Sequence, residues 1–163
     1  KNSIQVHRNE VFLERERHAN VRQGDKSYPI RAIRTKDFLY IQNLAPDRWP
    51  AGDPTPWFAV GSYGDVDPGP SKEVILQDSV KYAPYYQLCF AKRPAEELYD
   101  LRKDKSQVIN VSQKDDYQQI KKQLARRLME WRKATQDPRA EGKHPFETYQ
   151  YYGNAAATEK MKN

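Results

Sequence analysis

Apolar and polar residues follow two different periods along this chain, and together they predict a small sheet and one long helix. Residues 28–43 are rich in Ile, Phe, Tyr and Thr on either side of the polar turn at residues 35–37, which predicts a β-hairpin. Apolar side chains fall on both faces of its second strand, so we expect both faces to be covered, one of them by a helix. Residues 96–101 and 4–14 are interpreted as further strands.

The clearest helix is predicted at residues 112–135, where apolar residues recur at helical spacing. Ser112 and Asp115 have the spacing of a capping box, with Asp in place of Glu. The dipeptide Asp137-Pro138 is expected to end the helix. The apolar stripe consists of Tyr117, Ile120, Leu124, Leu128 and Trp131.

Long loops separate these elements. Residues 44–95 hold eight of the 11 prolines of the chain, and we expect one short helix between Ser71 and Gln87, broken near Pro84. Residues 140–163 form a tail that we expect to dock through its aromatic side chains and to be mobile from Gly153 onward. The prediction is an α+β domain: a small antiparallel sheet, a C-terminal amphipathic helix packed on one face of it, and long Pro-rich loops.

Composition adds four points. The length of 163 residues fits one domain, and 3 Trp, 11 Tyr and 5 Phe argue against wholesale disorder although 31% of the residues are charged. The net charge of +6 fits nucleic acid, an acidic polysaccharide or an acidic partner domain. No apolar run approaches the roughly 18 residues of a membrane span, and no signal peptide is visible. The single Cys89 is interpreted as a small buried hydrophobe, with a reactive thiol as the alternative.

The densest cluster of candidate chemistry is Arg15-Glu16-Arg17-His18. His18 is suited to donate to an anionic oxygen or to carry a proton, and Arg17 to bind a sulfate or carboxylate. The competing interpretation is a surface salt-bridge cluster of little energetic worth. Spacing also leaves open which of Arg31 and Arg34 points inward.

Other charged groups give weaker signals. The basic residues of the predicted helix are interpreted as its solvated side, with a polyanion-binding face as the alternative. The Asp65-Val66-Asp67 loop lacks the rest of a calcium-binding pattern, so we predict no metal site there. We find no phosphate loop and no nucleophile motif, and we predict no catalytic residue in this chain.

Several phrases of the sequence resemble the C-terminal subdomain of sulfatases, closest to bacterial heparan N-sulfatase-like enzymes. Residues 15–18 with 28–35, then 38–43 and 47–52, are similar to consecutive motifs of that subgroup. Residues 96–101, with Asp104 and Asn110-Val111, are similar to a motif that most sulfatases carry, although Lys105 stands where the pattern has Pro. By this resemblance residues 1–139 are the subdomain and residues 140–163 a tail.

The resemblance implies a function for the whole protein. It would hydrolyse sulfate esters or sulfamates of a sulfated glycan, such as heparan sulfate, with a formylglycine nucleophile and a calcium ion held by an upstream catalytic domain. That domain and a sulfated saccharide are the expected partners, without nucleic acid or membrane, and the expected location is the periplasm or outside the cell. His18, Arg17 and Glu16 are the expected substrate-binding residues, and the chain alone is expected to be inactive.

One alternative is a non-catalytic module that binds acidic polysaccharide. Nucleic-acid binding has only the net charge in its favour, because no motif supports it.

Overall fold

The computed structural model describes residues 8–57 and 61–149 of the chain. Four strands form one antiparallel sheet in the order β1 (Glu10–Arg15), β2 (Ile30–Thr35), β3 (Phe38–Asn43) and β4 (Glu96–Asp100). The α-helices of these residues are α1 (Pro70–Gln77), α2 (Ala83–Cys89) and α3 (Gln118–Ala134), and no helix there is long and apolar enough to cross a membrane. The predicted α+β class is confirmed. The start of the strand expected at residues 4–14 and the mobility expected from Gly153 onward lie outside the described residues.

The hairpin forms where the sequence predicts it, and its turn has a local chemical cause. The hydroxyl of Thr35 accepts hydrogen bonds from the backbone N–H groups of Asp37 at 3.3 Å and Phe38 at 3.0 Å. A threonine that closes a turn in this way fixes the register of the strands on either side. Ile33 accordingly lies opposite Tyr40, and Ala32 opposite Ile41.

Helix α3 packs on one face of the sheet, as predicted from its apolar stripe. Leu124 and Leu128 are buried in this interface, and Trp131 stacks on Phe12 of β1 with ring centroids 4.9 Å apart. Burying one leucine side chain stabilises a fold by about 1.5–3 kcal/mol. The buried core of the interface consists of Ile33, Tyr40, Leu98, Val111, Leu124 and Leu128.

The predicted start of this helix was wrong. Helix α3 begins at Gln118 after a short 3-10 turn at Asp115–Tyr117, and no side chain caps either element. Ser112 is fully buried, and its hydroxyl donates instead to the backbone carbonyl of Glu96 at 3.1 Å. Ser112 therefore ties the chain to β4, and it lies too far before Gln118 to cap the helix.

The proline-rich segment has a small core of its own. Ala51, Tyr63 and Phe90 are buried together, and α1 and α2 contribute partly buried side chains. The break expected near Pro84 is present, because α1 ends at Gln77 and α2 begins at Ala83. Gly52, whose φ is +98°, has no room for a side chain. A Cβ there would lie 2.8 Å from a methyl carbon of Val21 and 2.9 Å from the backbone nitrogen of Gly64.

Cys89 is exposed, so its predicted burial was wrong. The side chain of Tyr86 in α2 is partly buried against the small core. Phe90, the first residue after α2, is buried in that core. Cys89 lies between these two positions on a helix without a buried residue. Its apolar neighbours in the sequence are therefore no guide to its burial.

A network of ion pairs fastens the C-terminal segment to the sheet. Arg31 of β2 is buried and donates to Asp137 from Nε at 3.0 Å and from Nη2 at 2.9 Å, whereas Arg34 is exposed. Glu147 accepts hydrogen bonds from the Ser27 hydroxyl at 2.6 Å and from Arg48 at 2.7 Å. The first part of the predicted tail thus docks mainly through charge, although Phe146 and Tyr149 also make an edge-to-face contact.

Candidate functional site

The three predicted substrate-binding residues follow β1 directly, and the structure gives each a different environment. Glu16 is drawn into the ion-pair network. Its carboxylate accepts hydrogen bonds from Arg31 at 2.7 Å and from Arg139 at 2.7 to 2.9 Å, and 15% of its side chain is exposed. These contacts hold the C-terminal segment, so the carboxylate of Glu16 is already committed to the fold.

Arg17 is half-buried and connects two loops. Its Nη1 donates to the backbone carbonyl of Asp25 at 2.6 Å and to that of Tyr149 at 3.0 Å. The guanidinium thereby joins the loop before β2 to the end of the described C-terminal segment. Arg17 therefore has a structural role in addition to any contact with a ligand.

His18 is the most accessible of the three residues. Its side chain is 71% exposed, and its Nδ1 lies 3.1 Å from Oδ1 of Asp65. An exposed imidazole held by a carboxylate is able to contact an external molecule while keeping a defined orientation. Of the predicted site residues, His18 best meets the physical requirements of a ligand contact.

Asp65 holds this corner of the molecule together. Its side chain is only 5% exposed, and besides His18 it accepts hydrogen bonds from Arg15 at 2.7 Å and Arg22 at 3.1 Å. Arg22 also donates to the carbonyls of Trp49 at 2.8 Å and Pro50 at 2.7 Å. Burial lowers the pKa of the Arg22 guanidinium, and the charge of Asp65 opposes that shift. This buried ion pair fixes the position of the Asp65 carboxylate.

The sequence suggested Asp65 only as a candidate metal ligand. Among the residues that the structure describes, no three His, Cys, Asp or Glu side chains are grouped so as to hold a metal ion. The contact between Asp65 and His18 joins residues 47 positions apart, with the whole β2–β3 hairpin between them. Sequence spacing carries no signal for such a contact.

Beside His18 lies a groove on the sheet face opposite α3, which we call the sheet-face groove. Its volume is about 400 Å³, and Arg15 and Asp65 form part of its lining. Its sheet side is lined by Ile30, Leu39, Ile41, Asn43, Glu97 and Tyr99. His18 therefore lies next to a concave surface that combines apolar side chains, such as Leu39 and Ile41, with charged ones.

The polar side chains in the groove bind mainly one another. Glu97 is buried and accepts from Asn43 at 2.7 Å and from Arg93 at 2.6 Å, and the Tyr99 hydroxyl also donates to it. The Tyr28 hydroxyl, by contrast, is buried and has no hydrogen-bond partner among the described residues. Burial, followed by the negative charge of Glu97, raises the pKa of Tyr28 to about 12, so Tyr28 remains a neutral donor.

Beyond the groove, the same sheet face exposes two apolar side chains of β1 beside the exposed Arg34. Leu13 lies opposite Ala32 on the neighbouring strand, and Val11 lies opposite Arg34. Val11 and Leu13 are 45% and 47% exposed. Helix α3 covers only the other face of the sheet, so these apolar side chains of β1 lack a packing layer in the described residues.

The basic residues of α3 do not form one continuous polyanion-binding face. Arg132 is buried against Asp137, Arg127 pairs with Glu10, and the half-buried Lys121 lies 3.3 Å from a carboxylate oxygen of Glu96. The exposed ones are Lys122, Arg126 and Lys133. The interpretation of these residues as a wholly solvated side was therefore wrong for half of them, which hold the helix to the sheet and to the chain after it.

The scan against protein-family models gives no match for this chain, and the search of curated proteins gives none either. The resemblance to sulfatases remains a prediction that depends on the order and spacing of the motifs.

Proposed function

We propose that this chain is the C-terminal subdomain of a sulfatase that acts on sulfate esters or sulfamates of a sulfated glycan. In this proposal the chain lends His18 and Arg17 to the substrate pocket of a catalytic domain, and Glu16 supports them from within the fold. The observation that carries the proposal is the exposed ring of His18, held by buried Asp65 at the edge of the sheet-face groove. This is the residue that the resemblance selects as a substrate contact.

The open sheet face supports the second part of the proposal, which is docking on a larger domain. Val11 and Leu13 expose nearly half of their surface on a face that α3 does not cover. Apolar side chains exposed on an uncovered sheet face favour docking against another protein layer. We propose that the catalytic domain covers this face, and that the whole protein works in the periplasm or outside the cell.

The chemistry of sulfate removal is assigned to the catalytic domain. The proposal gives that domain the formylglycine nucleophile and the calcium ion, and it gives no metal ligand to the described residues of this chain. The role of this chain is to bind and orient the substrate. A positively charged chain, with a net charge of +6, is suited to a polyanionic saccharide.

Turnover by the purified chain tests whether catalysis belongs to another domain. The expected result is no hydrolysis of an aryl sulfate or of N-sulfated glucosamine, with or without calcium. Calcium-dependent hydrolysis by the pure chain would overturn the assignment of catalysis to another domain.

Substitution in the natural gene product tests the role of His18. His18→Gln is expected to lower kcat/KM for sulfated substrate at least tenfold, since it removes the proposed substrate contact. Lys122→Gln is the matched control, because Lys122 is exposed on α3, and it should leave kcat/KM unchanged. Equal losses for the two variants would contradict a specific role of His18.

A non-catalytic module that binds acidic polysaccharide is the second candidate. It is favoured by the net charge of +6. Retention on heparin distinguishes a specific binding site at Arg17 and His18 from attraction by net charge. A binding site at the start of the fold predicts that changes at Arg17 or His18 reduce retention more than changes at Lys122 or Lys133, whereas equal losses indicate attraction by charge alone.

A further inference from the structure

Asp65 is the acceptor in the hydrogen bond that it shares with His18. Asp65 is 5% exposed and lies between the buried guanidinium of Arg22 and that of Arg15, both of which donate to it. A carboxylate in this position is an acceptor. The ring nitrogen Nδ1 of His18, 3.1 Å from its Oδ1, must therefore supply the proton of their hydrogen bond.

We propose that Asp65 is a positioning residue that holds His18 in the tautomer with its proton on Nδ1 and directs Nε2 outward to the ligand. The hydrogen bond made by one ring nitrogen decides which nitrogen of a neutral imidazole carries the proton. The ring is 71% exposed, so Nε2 is the nitrogen left to meet an external molecule. It accepts a hydrogen bond from a hydroxyl or N–H group when the ring is neutral, and it donates to an anionic oxygen when the ring is protonated.

The same chain provides an internal control with the opposite arrangement. His144 faces Arg139, whose Nη1 lies 2.9 Å from Nδ1 of His144. A guanidinium only donates, so Nδ1 of a neutral His144 is an acceptor and its proton is on Nε2. The two histidines are therefore expected to show opposite tautomers within one sample.

The test is a long-range ¹H–¹⁵N correlation spectrum of the ¹⁵N-labelled 163-residue chain, recorded at a pH where its titration curve shows both rings to be neutral. The signals are assigned by His18→Gln and His144→Gln. The expected result is a protonated Nδ1 in His18 and a protonated Nε2 in His144. A His18 signal that reports mainly protonated Nε2 would overturn the proposal, and this reading needs no substitution at Asp65.

Two variants then test whether Asp65 is the cause. Asp65→Ala removes the acceptor, so His18 should lose its preference for the Nδ1 proton and approach the tautomer mixture of a free histidine. Arg15→Gln is the control, because it removes another partner of Asp65 and leaves the contact with His18. An Nδ1 preference that persists in folded Asp65→Ala contradicts the proposal, as does its loss in Arg15→Gln.

This inference rests on the proposed function only for the statement that His18 meets a substrate. The tautomer is read without substrate, so its failure leaves the sulfatase assignment standing. Conversely, a failure of that assignment would leave the arrangement of His18 and Asp65 to be explained by a different ligand.

Discussion

Asp137 offers the sharpest test of the ion-pair network, because two buried arginines converge on it. Its carboxylate accepts from Arg31 at 2.9 and 3.0 Å and from Nε of Arg132 at 2.8 Å, and 2% of its side chain is exposed. The perturbation is Asp137→Asn, which keeps the shape of the side chain and removes its charge. We expect a large loss of stability, since both guanidiniums would then lack this negative partner.

The magnitude follows from the surroundings of the carboxylate. Burial opposes ionisation, but the hydrogen bonds from Arg31 and Arg132 outweigh it and lower the pKa of Asp137 from 3.8 to about 2. Such a difference corresponds to about 2.5 kcal/mol in favour of the charged form. Breaking a buried pair at one side typically costs about 3–5 kcal/mol. We therefore expect Asp137→Asn to lower the free energy of unfolding by about 3 kcal/mol, a large part of the roughly 5–15 kcal/mol of an ordinary domain.

The assay is urea unfolding at neutral pH, followed by circular dichroism and analysed for midpoint and slope. The matched control is Glu130→Gln, which also converts a carboxylate to an amide. Glu130 is 67% exposed and lies 3.7 Å from Arg126, so its loss should cost less than about 0.5 kcal/mol. If the two variants lost the same small amount of stability, the reasoning about the buried network would be refuted.

Three further predictions concern stability and accessibility. The pKa of Asp137 is lower in the folded than in the unfolded chain, so its contribution to stability is present above pH 4 and is lost as the pH falls toward about 2. Acid unfolding of Asp137→Asn should therefore depend less on pH in this range. Gly52→Ala should lower the thermal midpoint more than Gly24→Ala, since both have positive φ but only Gly52 lacks room for a Cβ; equal shifts in thermal melts would contradict this. Cys89 should react fully with a thiol reagent in the native chain, and a thiol that becomes reactive only on unfolding would show that its exposure is wrong.

The elements that the sequence predicted well are those with local causes. Leu124 and Leu128 recur at helical spacing, and both are buried where α3 meets the sheet. Thr35 closes the hairpin turn by bonds within three residues. Periodicity and turn chemistry are properties of neighbouring residues, so they are visible without a structure.

The elements that escaped prediction depend on contacts between distant residues. Serine is a residue type that often caps helices, but the hydroxyl of Ser112 donates to the backbone carbonyl of Glu96, 16 positions earlier. Arg132 belongs to the polar pattern of α3, yet it is buried against Asp137. The candidate site is the clearest example. His18 was selected from its motif, whereas its contact with Asp65 was not predicted, because the two residues lie 47 positions apart in the sequence.

Isolation of the natural gene product with an antibody against this chain tests the central claim most directly. The measurement is sulfate release from sulfated glycans by the recovered protein, together with its intact mass. The account predicts a protein heavier than the 19.1 kDa of this chain, with activity toward sulfate esters or sulfamates. A product of 19.1 kDa that releases no sulfate would contradict it.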